Sequence, residues 1–237
     1  MVMRMNKRGV WHYPCGKSVN PVVEDGLSNE LPRHEAKKRL NAVKTQLGIA
    51  TKHVKKEQSK IEDLYFEVSK SEFKFRYDWL PQNPTHWYKT EVRCLNKSKR
   101  IGKVLQELHS SLQNYAVTFQ DLLKLDKLDI YPASILATRN KVMDGLAGHL
   151  IQVLCEVDSA LIVFGIKRPE QINDDFLYSK TDRWYSKPDY THSKIQDWGV
   201  ISMYRKFIVD WFNIMRKVNS NTFCKLDSKK KKKKPKQ

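Results

Sequence analysis

Glycine and proline are scarce, nine of each in 237 residues. So few helix breakers leave room for long helices. Long apolar runs are also missing: no stretch approaches the ~18 uninterrupted apolar residues of a membrane-crossing helix. Cysteine is limited to Cys15, Cys94, Cys155 and Cys224. No two of them form a CxxC pair, which argues against a zinc ribbon or a thioredoxin-type site. GxGxxG, P-loop, GxSxG and HExxH patterns are absent. So is Glu-x-x-His, the pair that builds metal sites inside helical bundles. His109, His149, Glu156 and Asp158 accordingly read as surface or satisfied core residues. The expectation is a chain with no catalytic residue, no metal site and no cofactor, one that works by binding. Met1–Val10 carries no apolar h-region, so no signal peptide is expected within the residues shown; a secreted protein would need a start upstream of them.

The composition is that of a folded domain, with 40% hydrophobic and 30% charged residues. The formal net charge is +18. Such an excess favours polyanions: nucleic acid, anionic membrane or sulfated glycans. Part of it is concentrated in Lys229, Lys230, Lys231, Lys232, Lys233, Lys234 and Lys236. That run fits a nuclear import signal and a heparin-binding tail equally well, and a solvated end as well.

Apolar residues recur in steps of three and four over four stretches. The first, from Arg33 to about Arg76, carries Leu40, Val43, Leu47, Ala50, Val54, Ile61, Leu64 and Val68, with one skipped position at Glu57. The second runs from about Arg100 to Lys127. The third begins near Ser134, read as its N-cap, and ends near Phe164; its broad apolar face predicts the most buried helix. The fourth runs from about Asp197 to Val218. Four stripes of similar length can satisfy one another as an internal core. The domain layout is therefore an extended arm over 1–31, a four-helix bundle over 32–224 and a polybasic tail over 225–237.

The fold class expected is all-α, and the connections bear on topology. The second and third helices are joined tightly and must be antiparallel neighbours, whereas the other two connections are long. An up-up-down-down bundle needs two long crossover loops in these two places. In that topology all four cysteines fall toward one end, allowing Cys15 with Cys155 and Cys94 with Cys224. In an up-down-up-down bundle the pairs become Cys15 with Cys224 and Cys94 with Cys155.

This order of helices and loops resembles the long-chain four-helix cytokines, including the insect unpaired-type ligands of the JAK/STAT pathway. The likeness covers about residues 15–224 and rests on layout, cysteine placement and basic character. It implies a secreted, extracellular ligand that clusters a cell-surface receptor ectodomain, with the lysine tail retained on sulfated glycosaminoglycan. Some members carry an aromatic and, three residues on, a lysine at the start of the fourth helix as a receptor contact. Trp198 is the aromatic in a comparable place, and the lysine is missing. Asn96-Lys97-Ser98 is a glycosylation sequon, making Asn96 the candidate acceptor. The alternative is an intracellular, nuclear protein binding nucleic acid. Lysines at 37, 38, 44, 52, 55, 56 and 60 would meet phosphates, and the aromatics between 73 and 88 would stack on bases.

Overall fold

The computed structural model describes residues 10–16, 33–70, 76–124, 130–173, 184–185 and 187–219. The expectations placed on Cys224 and on the lysine tail lie outside these residues. Every described regular element is helical. A 3-10 turn spans Val10–His12. Three helices follow in one line, α1 (Arg33–Lys56), α2 (Gln58–Leu64) and α3 (Phe66–Ser69). A short α4 (Pro84–Trp87) leads into a π-helical segment, Tyr88–Val92. The long helices α5 (Lys97–Lys124), α6 (Ala133–Val163) and α7 (Tyr190–Met215) complete the chain.

The expected first helix is thus interrupted at Glu57 and Tyr65. Backbone bonds with four-residue spacing still cross both breaks, as in Glu57 N–H to His53 O and Tyr65 N–H to Ile61 O. These are kinks in a continuing rod. The skipped apolar position is itself a core position: Glu57 is buried, its carboxylate held 2.8 Å from Lys60 Nζ.

Both α1 and α5 pack chiefly on α6 and α7. Gln46 reaches Gln152 at 2.7 Å, and His53, farther along α1, meets His149 and Gly145. α1 therefore runs antiparallel to α6. Gly48 faces Phe212 while Glu67 pairs with Lys194, so α1 with its continuation is antiparallel to α7 too. On α5, Leu122 meets Arg139 and His109 meets Asp158 of α6, again antiparallel. Tyr115 packs on Tyr204 and Phe207 of α7.

The apolar stripes form the core as read, with Val43, Leu47, Leu108, Leu112, Leu146, Leu150, Ile208 and Trp211 fully enclosed. Three readings differ. α6 is not the most buried helix: twelve of its 31 residues are buried against seventeen of the 28 in α5. The reason is the connections, which lie over α5. Gln106 and Gln113 donate to Lys167 O and Glu170 O, Ile172 N–H donates to Gln113, and Trp184 Nε1 donates to Asp121. α6 is long and apolar enough to cross a membrane by length and composition alone, yet its apolar face is used against α1 and α5. Its N-cap is Pro132, not Ser134. Finally, α7 starts at Tyr190, seven residues before Asp197, because the Asp189 carboxylate accepts from His192 N–H at 2.8 Å and caps the helix there.

Cys15 and Cys155 form a disulfide with a Cα–Cα distance of 4.9 Å. It ties the segment around Val10–His12 to α6, while Trp11 is buried and donates to Ile172 O. Part of the expected extended arm is therefore docked. Cys94 is likewise in a disulfide. The Cys15–Cys155 bridge closes a sequence separation of 140 residues. Replacing both cysteines by serine should lower stability by about 2–5 kcal/mol in denaturant titration, because a long loop regains its freedom in the unfolded chain.

Candidate interaction surfaces and the buried clamp

Asp197 is fully buried inside α7, and Arg139 of α6 is 1% exposed. Arg139 donates from Nε to Asp197 Oδ2 at 2.6 Å and from Nη2 to Oδ1 at 2.8 Å. The same Nη2 donates to Leu122 O at 3.0 Å, near the end of α5. Tyr65, at the second kink, and Tyr131, before α6, both donate to Asp197 Oδ2, at 3.2 and 3.3 Å. One carboxylate thus joins α6, α7, the kinked rod and the α5–α6 connection. Burial opposes the Arg139 charge, but the hydrogen bonds and charge of Asp197 outweigh it and raise the guanidinium pKa. Burial, followed by the Asp197 charge, drives the Tyr65 hydroxyl well above its ordinary value, so it stays a donor.

A second polar knot pins the connection after α6. Asp158 takes a bidentate pair from Arg168 at 2.6 and 2.8 Å, with His109 Nε2 3.5 Å away. His109 Nδ1 lies 2.9 Å from Gln113 Nε2. His109 and Asp158 thus meet, but their neighbours are loop anchors. His149 is elsewhere, its ring tilted against that of His53 with centroids 4.4 Å apart. Among the described residues, no group of three or more His, Cys, Asp or Glu is placed to hold a metal ion.

Above the clamp lies an aromatic surface at the start of α7. Phe66 is 54% exposed, Tyr185 44% and Tyr190 36%. Lys194 Nζ sits 4.7 Å from the Tyr190 ring centroid and 2.8 Å from Glu67. Lys70 Nζ lies 3.6 Å over Phe66. Tyr185 packs on His192, and Tyr190 on Tyr131. Trp198 is half-buried two turns into the helix and packs on Tyr65. The residues that open α7 are Tyr190 and Lys194. They were missed because Asp197 was read as the helix start; Asp189, three residues before His192, was the signal that could have found them.

The other end of α7 is basic. A cleft there brings Lys89 and Arg93 of the π-helical region beside Asn213 and Lys217. Asn96 is exposed, and its Oδ1 accepts from Lys99 N–H at 2.9 Å, which makes it the N-cap of α5. A glycan on its Nδ2 leaves that cap intact. Lys37, Lys38, Lys52, Lys55 and Lys56 of α1 and Lys60 of α2 are exposed, and Lys44 of α1 is half-buried. The aromatics expected to stack on bases point elsewhere: Tyr77 and Tyr88 are buried, and Trp79 and Trp87 pack against the core. Phe73 and Phe75 lie outside the described residues. Comparisons with protein-family models, with curated proteins and with solved structures find no match.

Two predictions follow from this geometry. Asp197→Ala leaves the Arg139 charge buried and alone, and should cost about 3–5 kcal/mol in denaturant titration; Asp197→Leu with Arg139→Met should recover much of the loss. Burial first, and His149 second, lower the His53 pKa below the ordinary histidine value of 6.5. The unfolded chain then takes up a proton as pH falls through that value while the folded chain resists, so stability falls between neutral pH and the lowered folded pKa. His53→Gln should flatten that part of a stability profile recorded by urea midpoints from pH 7.5 to 5.

Proposed function

We propose that this chain is a secreted, cytokine-like helical ligand whose four long helices form an up-up-down-down bundle that engages a cell-surface receptor ectodomain. The observation that carries the reading is the packing order: α1 and α5 each lie antiparallel to both α6 and α7. With short connections such a chain would place successive helices side by side. Two long crossings, before α5 and after α6, are what let α1 and α5 run the same way.

The Cys15–Cys155 disulfide fits an oxidising compartment, such as the extracellular space. Asn96 is exposed and open to glycosylation there. The surface best suited to a receptor is the aromatic end. Exposed Phe66, Tyr185 and Tyr190 stand on a framework locked by the Arg139–Asp197 pair, and rigid aromatics are the side chains that most often anchor protein interfaces. With the helix start at Tyr190, the aromatic and the lysine that open the fourth long helix are Tyr190 and Lys194. Their spacing is four, where the resembling family has three. Trp198 contributes by backing Tyr65 beneath this surface. The lysines from Lys229 to Lys234, with Lys236, serve retention on sulfated glycans. The rival, nucleic-acid binding, keeps the net charge of +18, the lysine tail and the exposed lysines of α1 and α2 in its favour, and loses the stacking role of Tyr77, Tyr88, Trp79 and Trp87.

The experiment is a JAK/STAT reporter assay in insect cells given the protein purified from a secretory host. The expected outcome is reporter activation by the native chain, lost on combining Phe66→Glu with Tyr185→Glu, two exposed sites that leave the fold intact by circular dichroism. A silent reporter together with free cysteines in the secreted protein would sink the reading and leave the nucleic-acid alternative.

A further inference from the structure

Resting on the extracellular reading above, we propose that the cleft between the π-helical segment and the end of α7 is a subsite for a sulfate group of a glycosaminoglycan, distinct from the lysine tail. The cleft holds about 240 Å³, and Thr85, Tyr88, Lys89, Arg93, Asn213 and Lys217 line it. With Ile214 these are the described lining residues, so three cations, two hydroxyls and an amide meet there, and none of the described lining residues is acidic. Lys89, Arg93 and Lys217 are all exposed.

The local backbone puts them there. Arg93 N–H donates to Tyr88 O at 2.8 Å, a bond five residues long that widens the turn. Such widened turns are often found at functional sites. Lys89 and Arg93, four residues apart, then share one face, where like charges repel. Arg216 and Lys217 follow the last turn of α7 and offset the partial negative charge of its end. An anion bridging Lys89, Arg93 and Lys217 relieves the repulsion and receives charge-assisted hydrogen bonds. Tyr88 adds a second observation: it is among the lining residues, it is 4% exposed, and its buried hydroxyl has no hydrogen-bond partner among the described residues. The disulfide favours a sulfated glycan as the source of the anion, because sulfated glycans are the polyanions of an oxidising, extracellular setting.

The test uses the full disulfide-bonded chain with Lys229 to Lys234 and Lys236 changed to Gln, so that the tail cannot carry the signal. The probe is a heparin-derived tetrasaccharide, followed by titration calorimetry, with its desulfated form as control. The tail-neutralised chain should still bind the sulfated probe, and adding Lys89→Gln, Arg93→Gln and Lys217→Gln should weaken it by about tenfold or more. Removing equal charge from α1 by Lys52→Gln, Lys55→Gln and Lys56→Gln should change it by less than about threefold, since exposed charges beyond a Debye length are screened. A conservative set, Lys89→Arg, Arg93→Lys and Lys217→Arg, should keep the binding and so separates charge from folding. Equal loss in the α1 set, no loss in the cleft set, or no binding once the tail is neutralised would each overturn the subsite. Stronger binding of inorganic phosphate or of a single-stranded oligonucleotide at the cleft would overturn the glycan assignment. The extracellular reading fails separately, through free thiols in secreted protein.

Discussion

The pair formed by Arg139 and Asp197 is the constraint on which the bundle turns. Neither residue can be solvated, and a lone charge in either place would be costly. The arrangement is therefore all or none: both side chains must arrive together, with Tyr65, Tyr131, Leu122 O and Asn140 among their further hydrogen-bond partners. An apolar contact tolerates a slip of one helix against another. A bidentate ion pair with several further partners does not. The clamp thus sets the register of α6 against α7. It also holds the kinked rod at Tyr65, between α2 and α3, through the hydroxyl that donates to Asp197.

The same pair marks the boundary of what the sequence revealed. The three- and four-residue spacing of apolar residues located all four long helices, since burial on one face leaves that periodicity in any chain. Asp197 misled for a physical reason. A carboxylate before an apolar run looks like a cap, and only a guanidinium 58 positions away in sequence makes it a core residue. Arg139 similarly carries no local mark. The deep burial of α5 was also illegible, because what covers it comes from two connections that lack periodicity. Glu57 was seen as a gap in the stripe, yet the residue is buried and its carboxylate is held by Lys60.

Of the site residues, the cysteines were the most readable. A pairing of Cys15 with Cys155 was one of two possibilities left open by loop lengths, and the structure contains it. Asn96 was legible as a sequon and not as a cap, because its capping role depends on where α5 begins. Trp198 was legible as an aromatic near a helix start, but the start lay two turns upstream and its ring is turned toward Tyr65. The exposed Phe66 and Tyr185 carry no sequence signal, since only the kinks and the connection after α6 bring them outward.

Charge placement then divides the molecule along α7. Many acidic side chains are spent internally: Asp197 on Arg139, Asp158 on Arg168 and Asp121 on Trp184. Carboxylates committed inside the fold cannot neutralise cations outside it, so the excess of positive charge is carried on the surface. At the aromatic end Lys194 is buried and paired with Glu67, while the exposed Lys70 lies over the Phe66 ring. At the other end Lys89, Arg93 and Lys217 line a cleft whose described lining residues include no carboxylate. Tyr190 and Asn213 lie 23 positions apart on one helix, about 35 Å at 1.5 Å per residue. That span is several Debye lengths at physiological salt, so the basic end exerts little field on the aromatic one. A polyanion held at one end therefore leaves the opposite surface free, in position and in charge, for a protein partner.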